Sequence, residues 1–244
     1  MSPLTNRDLT TLQRLLPWKD GSLIQEGRVL GVARKGAAVV SMDERIQALV
    51  TRLQPQQQRI LELGSCEGVH TVQLAGHCQS VTGVEPRLQN AVCSDVRLWA
   101  HGVTNARIVV GRAEEIDWQC GTFDLICHVG VFYHLANPVM YLLRLQGVAP
   151  VLFLDTQYAG EGTTMVRMDV TANGRTYEAY RYREWQRWWN RRSGLDATSR
   201  WLTRDALLAA LNHAGFSRIE VLNDRVGRFG PRITLIARTP GRDA

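Results

Sequence analysis

Lysine is nearly missing from this 244-residue chain: Lys19 and Lys35 are the only two, and arginine makes up the rest of its 29 basic residues. Neither lysine has a tyrosine four positions before it, so the Tyr-xxx-Lys pair of nicotinamide-dependent hydride transfer cannot be formed. Five cysteines (Cys66, Cys78, Cys93, Cys120 and Cys127) are an odd set without a CxxC spacing. That excludes a disulfide framework and a zinc knuckle and leaves buried or reduced thiols. No uncharged apolar run reaches the ~18–20 residues that span a bilayer, so no membrane association is expected. The first twenty residues, MSPLTNRDLTTLQRLLPWKD, are interrupted by charges and lack a signal-peptide core, and a cytoplasmic location is the expectation. Metal-ligand spacing is missing too. His128 and His134 are six apart, Asp155 stands alone, and no i, i+4 histidine pair or carboxylate cluster accompanies them, so no metal is expected.

What is present is an ordinary globular composition, 45% hydrophobic, in a chain long enough for one full core and an added lobe. The charge is uneven. From Gly160 onward there are 15 Arg against 9 Asp and Glu, whereas the residues before it balance, so the whole net charge of +6 belongs to the last third. An anionic ligand, a nucleic acid or plain solvated surface all fit such a bias.

Residues 1–55 read as a helical lead-in. In SMDERIQALVTRLQP a capping serine and acids in the first turn precede apolar residues at Ile46, Leu49, Val50 and Leu53, and Pro55 closes the helix. Residues 56–244 then alternate short apolar strands with helical segments. The strands are RILELG, SVTGVEP, ARIVVG, FDLICHVG and PVLFLDTQ. Runs this apolar suit strands covered on both faces, and helical crossovers make them parallel. A helix in TRDALLAALNHAGF precedes two further strands, RIEVLN and RITLIAR, joined without a helix, so the last strand runs antiparallel to a neighbour. The fold class is α/β, a doubly wound, mostly parallel sheet. Residues 160–202 interrupt it after the fifth strand. They contain a hairpin signal at Ala172-Asn173-Gly174 and a helix-like YREWQRWWNRR, and they read as a lid or substrate insertion.

The stretch RILELGSCEGVHTVQLA carries the strongest chemical signal. Gly64 permits a sharp turn after a strand, Gly68 permits close approach of the next helix to that strand, and that helix's N-terminus offers free N–H groups. Glu62, just before the turn, would repel a pyrophosphate but would pair with a ligand ammonium group. A zwitterionic aminoacyl tail satisfies both ends. Glu85 closes the second strand 23 residues later, the spacing at which a strand-end carboxylate takes ribose hydroxyls. Ala113 and Glu114, after the third strand, are placed to border an adenine ring. Aminoacyl tail, ribose and adenine together describe S-adenosylmethionine (SAM).

At this point residues from about Arg59 to Arg238 resemble the class I SAM-dependent methyltransferases. The resemblance implies a Rossmann-like methyltransferase fold with a seven-stranded sheet whose last strand is antiparallel. It also implies that Glu62, Gly64 and Gly68 bind near the methionine end, Glu85 the ribose, and Ala113 and Glu114 the adenine. The chain departs from the family at Cys66, where the loop commonly has a glycine. The segment VGVFYHLANP is similar to the Tyr-His-Leu segment of the tRNA wobble-uridine carboxymethyltransferases, and also to small-molecule methyltransferases.

Methyl transfer from a sulfonium needs alignment, exclusion of water and, for a hydroxyl acceptor, removal of a proton. His134 is the first candidate for general base or acceptor-orienting group, because imidazole titrates near neutrality; the alternative is a histidine that only braces its loop. Tyr133 either lines the donor methyl site or packs there. His128, nearer the strand, is expected to contact the cofactor through its backbone. If YREWQRWWNRR is a helix, Arg183, Arg187 and Arg191 form one stripe and Tyr182, Trp185 and Trp189 another, a pattern that either grips a phosphate and base or packs tryptophans inward. The expected acceptor is an oxygen or nitrogen of a small molecule, anionic or aromatic. A tRNA-modifying enzyme and a non-catalytic SAM-binding protein are the alternatives.

Overall fold

The computed structural model describes residues 4–24, 27–31, 42–115, 122–185, 191–227 and 229–241. The chain packs as two compact units, Met1–Glu115 and Ile116–Ala244.

The first unit runs α1 (Asn6–Leu15), β1 (Ser22–Leu23), β2 (Val29–Leu30), α2 (Glu44–Leu53), β3 (Arg59–Leu63), α3 (Val69–Ala75), β4 (Ser80–Glu85), α4 (Leu88–Ala100) and β5 (Ala106–Val110). β3, β4 and β5 pair in parallel. The lead-in is not helical throughout, because β1 and β2 pair antiparallel between its two helices. Its apolar residues Leu9, Trp18, Ile24 and Leu30 form one cluster with Cys93 of α4, so this segment is part of the unit's core. α2 starts on Asp43, whose side chain accepts from the Arg45 N–H; the serine expected to cap it, Ser41, lies outside the described residues. Ile46 and Leu49 are its fully buried face.

The second unit runs β6 (Leu125–Val129), a short 3-10 turn (Phe132–His134), α5 (Pro138–Arg144), β7 (Val151–Gln157), β8 (Val166–Arg167), β9 (Val170–Ala172), β10 (Arg175–Tyr177), β11 (Ala179–Arg183), β12 (Thr198–Leu202), α6 (Arg204–His213), β13 (Arg218–Gly227) and β14 (Gly230–Arg238). β6 and β7 are parallel, whereas β14 runs antiparallel to both β7 and β13. Every residue of β6 is buried, as expected of a strand covered on both faces. β13 is largely exposed and carries Arg218, Glu220, Asp224 and Arg225, charges that suit a sheet edge. The central sheet has seven strands in the order β13-β14-β7-β6-β3-β4-β5, the doubly wound α/β architecture read from the sequence.

The described residues of 160–202 build two small sheets. β9 and β10 form the expected hairpin, with Asn173 (φ 47°) and Gly174 (φ 74°) both left-handed, as a two-residue type I′ turn requires. β12, β11 and β8 form a three-stranded antiparallel sheet. This corrects the start of the helix expected in YREWQRWWNRR, whose residues 186–190 lie outside the described residues. Tyr182 and Arg183 end β11, opposite Ser199 and Thr198, so the proposed stripes are not formed at their start. The backbone pairing available from Thr198–Leu202 outweighs the local helical spacing. Arg187 and Trp189 lie outside the described residues. Arg191, expected on the arginine stripe, is buried.

Candidate active site

In the first unit the loop from Gly64 to Gly68 joins β3 to α3. Gly64 (φ 81°), Cys66 (φ 51°) and Gly68 (φ 77°) all adopt left-handed backbone. Cys66 therefore holds a conformation that favours glycine, which gives a physical meaning to its departure from the family pattern. The N–H groups of Gly64 and Ser65 donate to the Val84 carbonyl, at 2.9 and 3.0 Å, and tie the loop to the end of β4. The need for glycine at position 68 differs from expectation. A Cβ there would lie 3.0 Å from the Ser94 Cα, so the close approach is to α4 rather than to the preceding strand.

Both strand-end acids meet this loop and helix. Glu62 is only 3% exposed, and its carboxylate accepts from the Thr71 hydroxyl at 2.5 Å. Glu85 accepts from the Cys66 N–H, the Arg87 N–H and the Asn90 amide, each at 3.0 Å. Burial pushes the Glu62 pKa above the ordinary carboxylate value against the opposing influence of His70 and Thr71, and the charge of Glu85 adds to the rise. Glu85 is likewise raised, by burial first, although its three hydrogen bonds oppose this. Two buried carboxylates close enough to feel one another make a site that favours a cation. Ala113 is buried just beyond β5, and Glu114 lies 3.6 Å from the Arg112 guanidinium.

Sequence reasoning missed the brace behind the loop. The buried Glu67 carboxylate accepts from the Lys19 N–H (3.0 Å) and the Asp20 N–H (3.1 Å). Arg97, fully buried on α4, donates to the Glu67 carbonyl (2.6 Å), the Asp20 carbonyl (2.8 Å) and the Ser22 hydroxyl, and it stacks over Trp18. An acid and an arginine 30 residues apart carry no local signature, so no motif announces them.

In the second unit Tyr133 and His134 lie together on the turn after β6. The His134 Nδ1 is 2.9 Å from Glu184 Oε1. Tyr133 packs against the His134 ring (4.3 Å) and the Trp201 ring (6.0 Å), under the Arg232 guanidinium (5.7 Å). Tyr182 stacks on Trp201 at 4.8 Å, which is the aromatic contact the strand geometry gives it in place of a helical stripe. Arg232 is occupied by the buried Asp155, to which Thr234 also donates. His128 stands apart from this group. It is fully buried against Phe132 and Tyr141, and burial lowers its pKa to about 3, so its side chain stays neutral. Glu184 was the other residue missed, because fifty positions separate it from His134.

Residues 61–149 match the family described as "Methyltransferase domain". The crystal structure of the N-terminal domain of EvdMO1 with SAH bound is similar over 97% of this chain and 98% of that one, at 29% identity and a TM-score of 0.81. The same domain in the presence of SAH and D-fucose gives a TM-score of 0.78 at the same identity and coverage. A curated relative, the tRNA U34 carboxymethyltransferase of Actinobacillus succinogenes, is 27% identical over 138 residues, 55% of this chain. The match spans 41% of that relative's length.

Proposed function

We propose that this chain, which belongs to the class I SAM-dependent methyltransferase superfamily, transfers a methyl group from SAM to an oxygen or nitrogen of a small-molecule acceptor. A hydroxyl oxygen is the acceptor the chemistry favours. One observation carries the donor assignment: Glu62 is a buried carboxylate with a raised pKa whose hydrogen-bond donor among the described residues is a single hydroxyl. Such a group is completed by a cation, and the ammonium of an aminoacyl tail provides one.

Glu62 would then hold the aminoacyl end and Glu85 the ribose hydroxyls, with Gly64 and Gly68 shaping the loop and Ala113 and Glu114 bordering the adenine. Residues 56–244 would form the SAM-binding domain, with 160–202 as its substrate insertion. Bound SAM would supply an activated methyl carbon on a sulfonium, with the neutral thioether as the leaving group. His134 is assigned to take the hydroxyl proton, becoming imidazolium and later releasing that proton to water. Tyr133, wedged between His134 and Trp201, would wall the acceptor and exclude water. His128 is a packed core group without a proton-transfer role, and any cofactor contact it makes is through its backbone.

A small acceptor is supported over tRNA by the extent of each likeness. The EvdMO1 domain, crystallised with D-fucose, corresponds to nearly the whole chain. The tRNA-modifying relative corresponds to just over half. Among the described residues no helix is long and apolar enough to cross a membrane.

Incubation with methyl-labelled SAM against a panel of hydroxylated sugars and glycosides, with unmodified tRNA alongside, tests the reading. Label is expected in a small hydroxylated acceptor. His134→Ala should lower turnover by about 10²–10⁴-fold at unchanged SAH affinity. Label in tRNA alone would move the chain to the tRNA-modifying alternative, and SAH binding without transfer to any acceptor would leave a SAM-binding protein.

A further inference from the structure

We infer that Glu184 is a positioning residue that locks His134 in one tautomer and presents its Nε2 as the base, an inference that rests on the methyl-transfer reading above. Glu184 follows β11 in the insertion, and its side chain is 2% exposed. Three donors hold its carboxylate. The His134 Nδ1 (2.9 Å) and the Ser199 hydroxyl (2.7 Å) donate to Oε1, and the Gly194 N–H (2.8 Å) donates to Oε2. Burial works to raise its pKa, but these bonds and the nearby imidazole hold it below the ordinary carboxylate value. Glu184 is thus ionised at neutral pH and can only accept. The hydrogen of a neutral His134 must then sit on Nδ1, which leaves the Nε2 lone pair open.

The surroundings are built for this pairing. Gly194 has no room for a side chain: a Cβ would come within 2.9 Å of both the Glu184 carboxyl carbon and the His134 carbonyl oxygen. The His134 N–H bonds the Val131 carbonyl at 2.8 Å, which fixes the backbone beneath the ring. The His134 side chain is 19% exposed, and Nε2 has no hydrogen-bond partner among the described residues. A hidden carboxylate behind an imidazole whose far edge is open orients a base. A bond serving only to brace the loop would not need that open edge.

Two-bond ¹H–¹⁵N correlation of the full chain labelled with ¹⁵N-histidine reads the tautomer directly, His134 being identified by its loss in His134→Ala. The wild type should show Nδ1–H with Nε2 bare. Glu184→Ala should shift the ring towards the Nε2–H form. Gly194→Ala should do the same with the carboxylate still present, and Glu184→Gln should partly restore the wild-type state, since its carbonyl oxygen still accepts. With the acceptor found above, kcat should fall roughly 10- to 100-fold in Glu184→Ala while KM for SAM is unchanged. SAH affinity, unchanged in all variants, confirms that each is folded. An Nε2–H ring in the wild type, or a tautomer indifferent to both Glu184→Ala and Gly194→Ala, overturns the inference. A wild type that binds SAH, methylates nothing and still shows Nδ1–H would defeat the methyl-transfer reading while upholding the role of Glu184 toward the ring.

Discussion

Glu62 is in tension between stability and ligand binding. Its raised pKa means that folding favours the protonated form: its contribution is fully present below the ordinary carboxylate range and is lost as pH rises through the raised value. The bound ammonium needs the ionised form, so SAH affinity should move the other way and weaken as pH falls. Glu62→Gln separates the two effects. It should raise the stability of the free protein at neutral pH by about 1 kcal/mol, because no charge is then buried, and weaken SAH binding by about tenfold or more. Chemical denaturation with and without SAH measures both. A variant that loses stability and keeps its affinity would show that Glu62 serves only the Thr71 hydrogen bond. At this scale the sequence carries a signal where acids and glycines stand next to a turn. Glu62, Gly64 and Glu85 are flagged by their order along the chain, and Cys66 by standing where a glycine is usual. Glu184 and Gly194 were not readable, since their meaning lies in a contact with His134 that the chain makes fifty and sixty positions away.

Elements carry the loop as much as its own residues do. Glu67 joins the Gly64–Gly68 loop to the segment before β1, and Arg97 on α4 bonds both. The Glu67 carboxylate also lies 3.7 Å from the buried Arg97 guanidinium, and its removal strands that charge, so Glu67→Ala should cost about 3–5 kcal/mol. Proteolysis should then cut near Lys19, and saturating SAH should recover part of the lost stability by mass action. A variant as stable and as protease-resistant as the wild type would mean that the apolar cluster of Leu9, Trp18, Ile24 and Leu30 holds the segment unaided. The strands of the sheet were legible because their apolar runs are too short for helices and too continuous for surface strands. The insertion was misread for a reason its sequence also contains. The order Ala179-Tyr180-Arg181-Tyr182-Arg183 alternates with period two, in line with β11, but the tryptophans that follow impose a helical spacing on the eye. Alternation and helical spacing overlap there, and only the partner strand Thr198–Leu202 decides between them.

The molecule's positive charge looks different once its partners are known. Arg167 pairs with Asp169 and Glu178, Arg204 with Asp224, Arg232 with Asp155 and Arg238 with Glu220. Part of the arginine excess that the sequence places after Gly160 is therefore neutralised locally, which speaks against a continuous basic track for a phosphate backbone. The doubly wound, mostly parallel sheet with its antiparallel last strand was legible at this scale because βα alternation followed by a terminal hairpin permits few topologies. The acceptor was not, since it depends on an insertion whose strands pair across distances that no local pattern encodes. The central claim, that the acids closing β3 and β4 hold one SAM molecule, is tested most directly by calorimetric titration of the full chain with SAH, wild type beside Glu85→Ala. One site per chain is predicted, weakened at least about tenfold by the substitution, in keeping with loss of charge-assisted hydrogen bonds to the ribose. Failure of the wild type to bind either SAH or SAM, or equal affinity in Glu85→Ala, would contradict it.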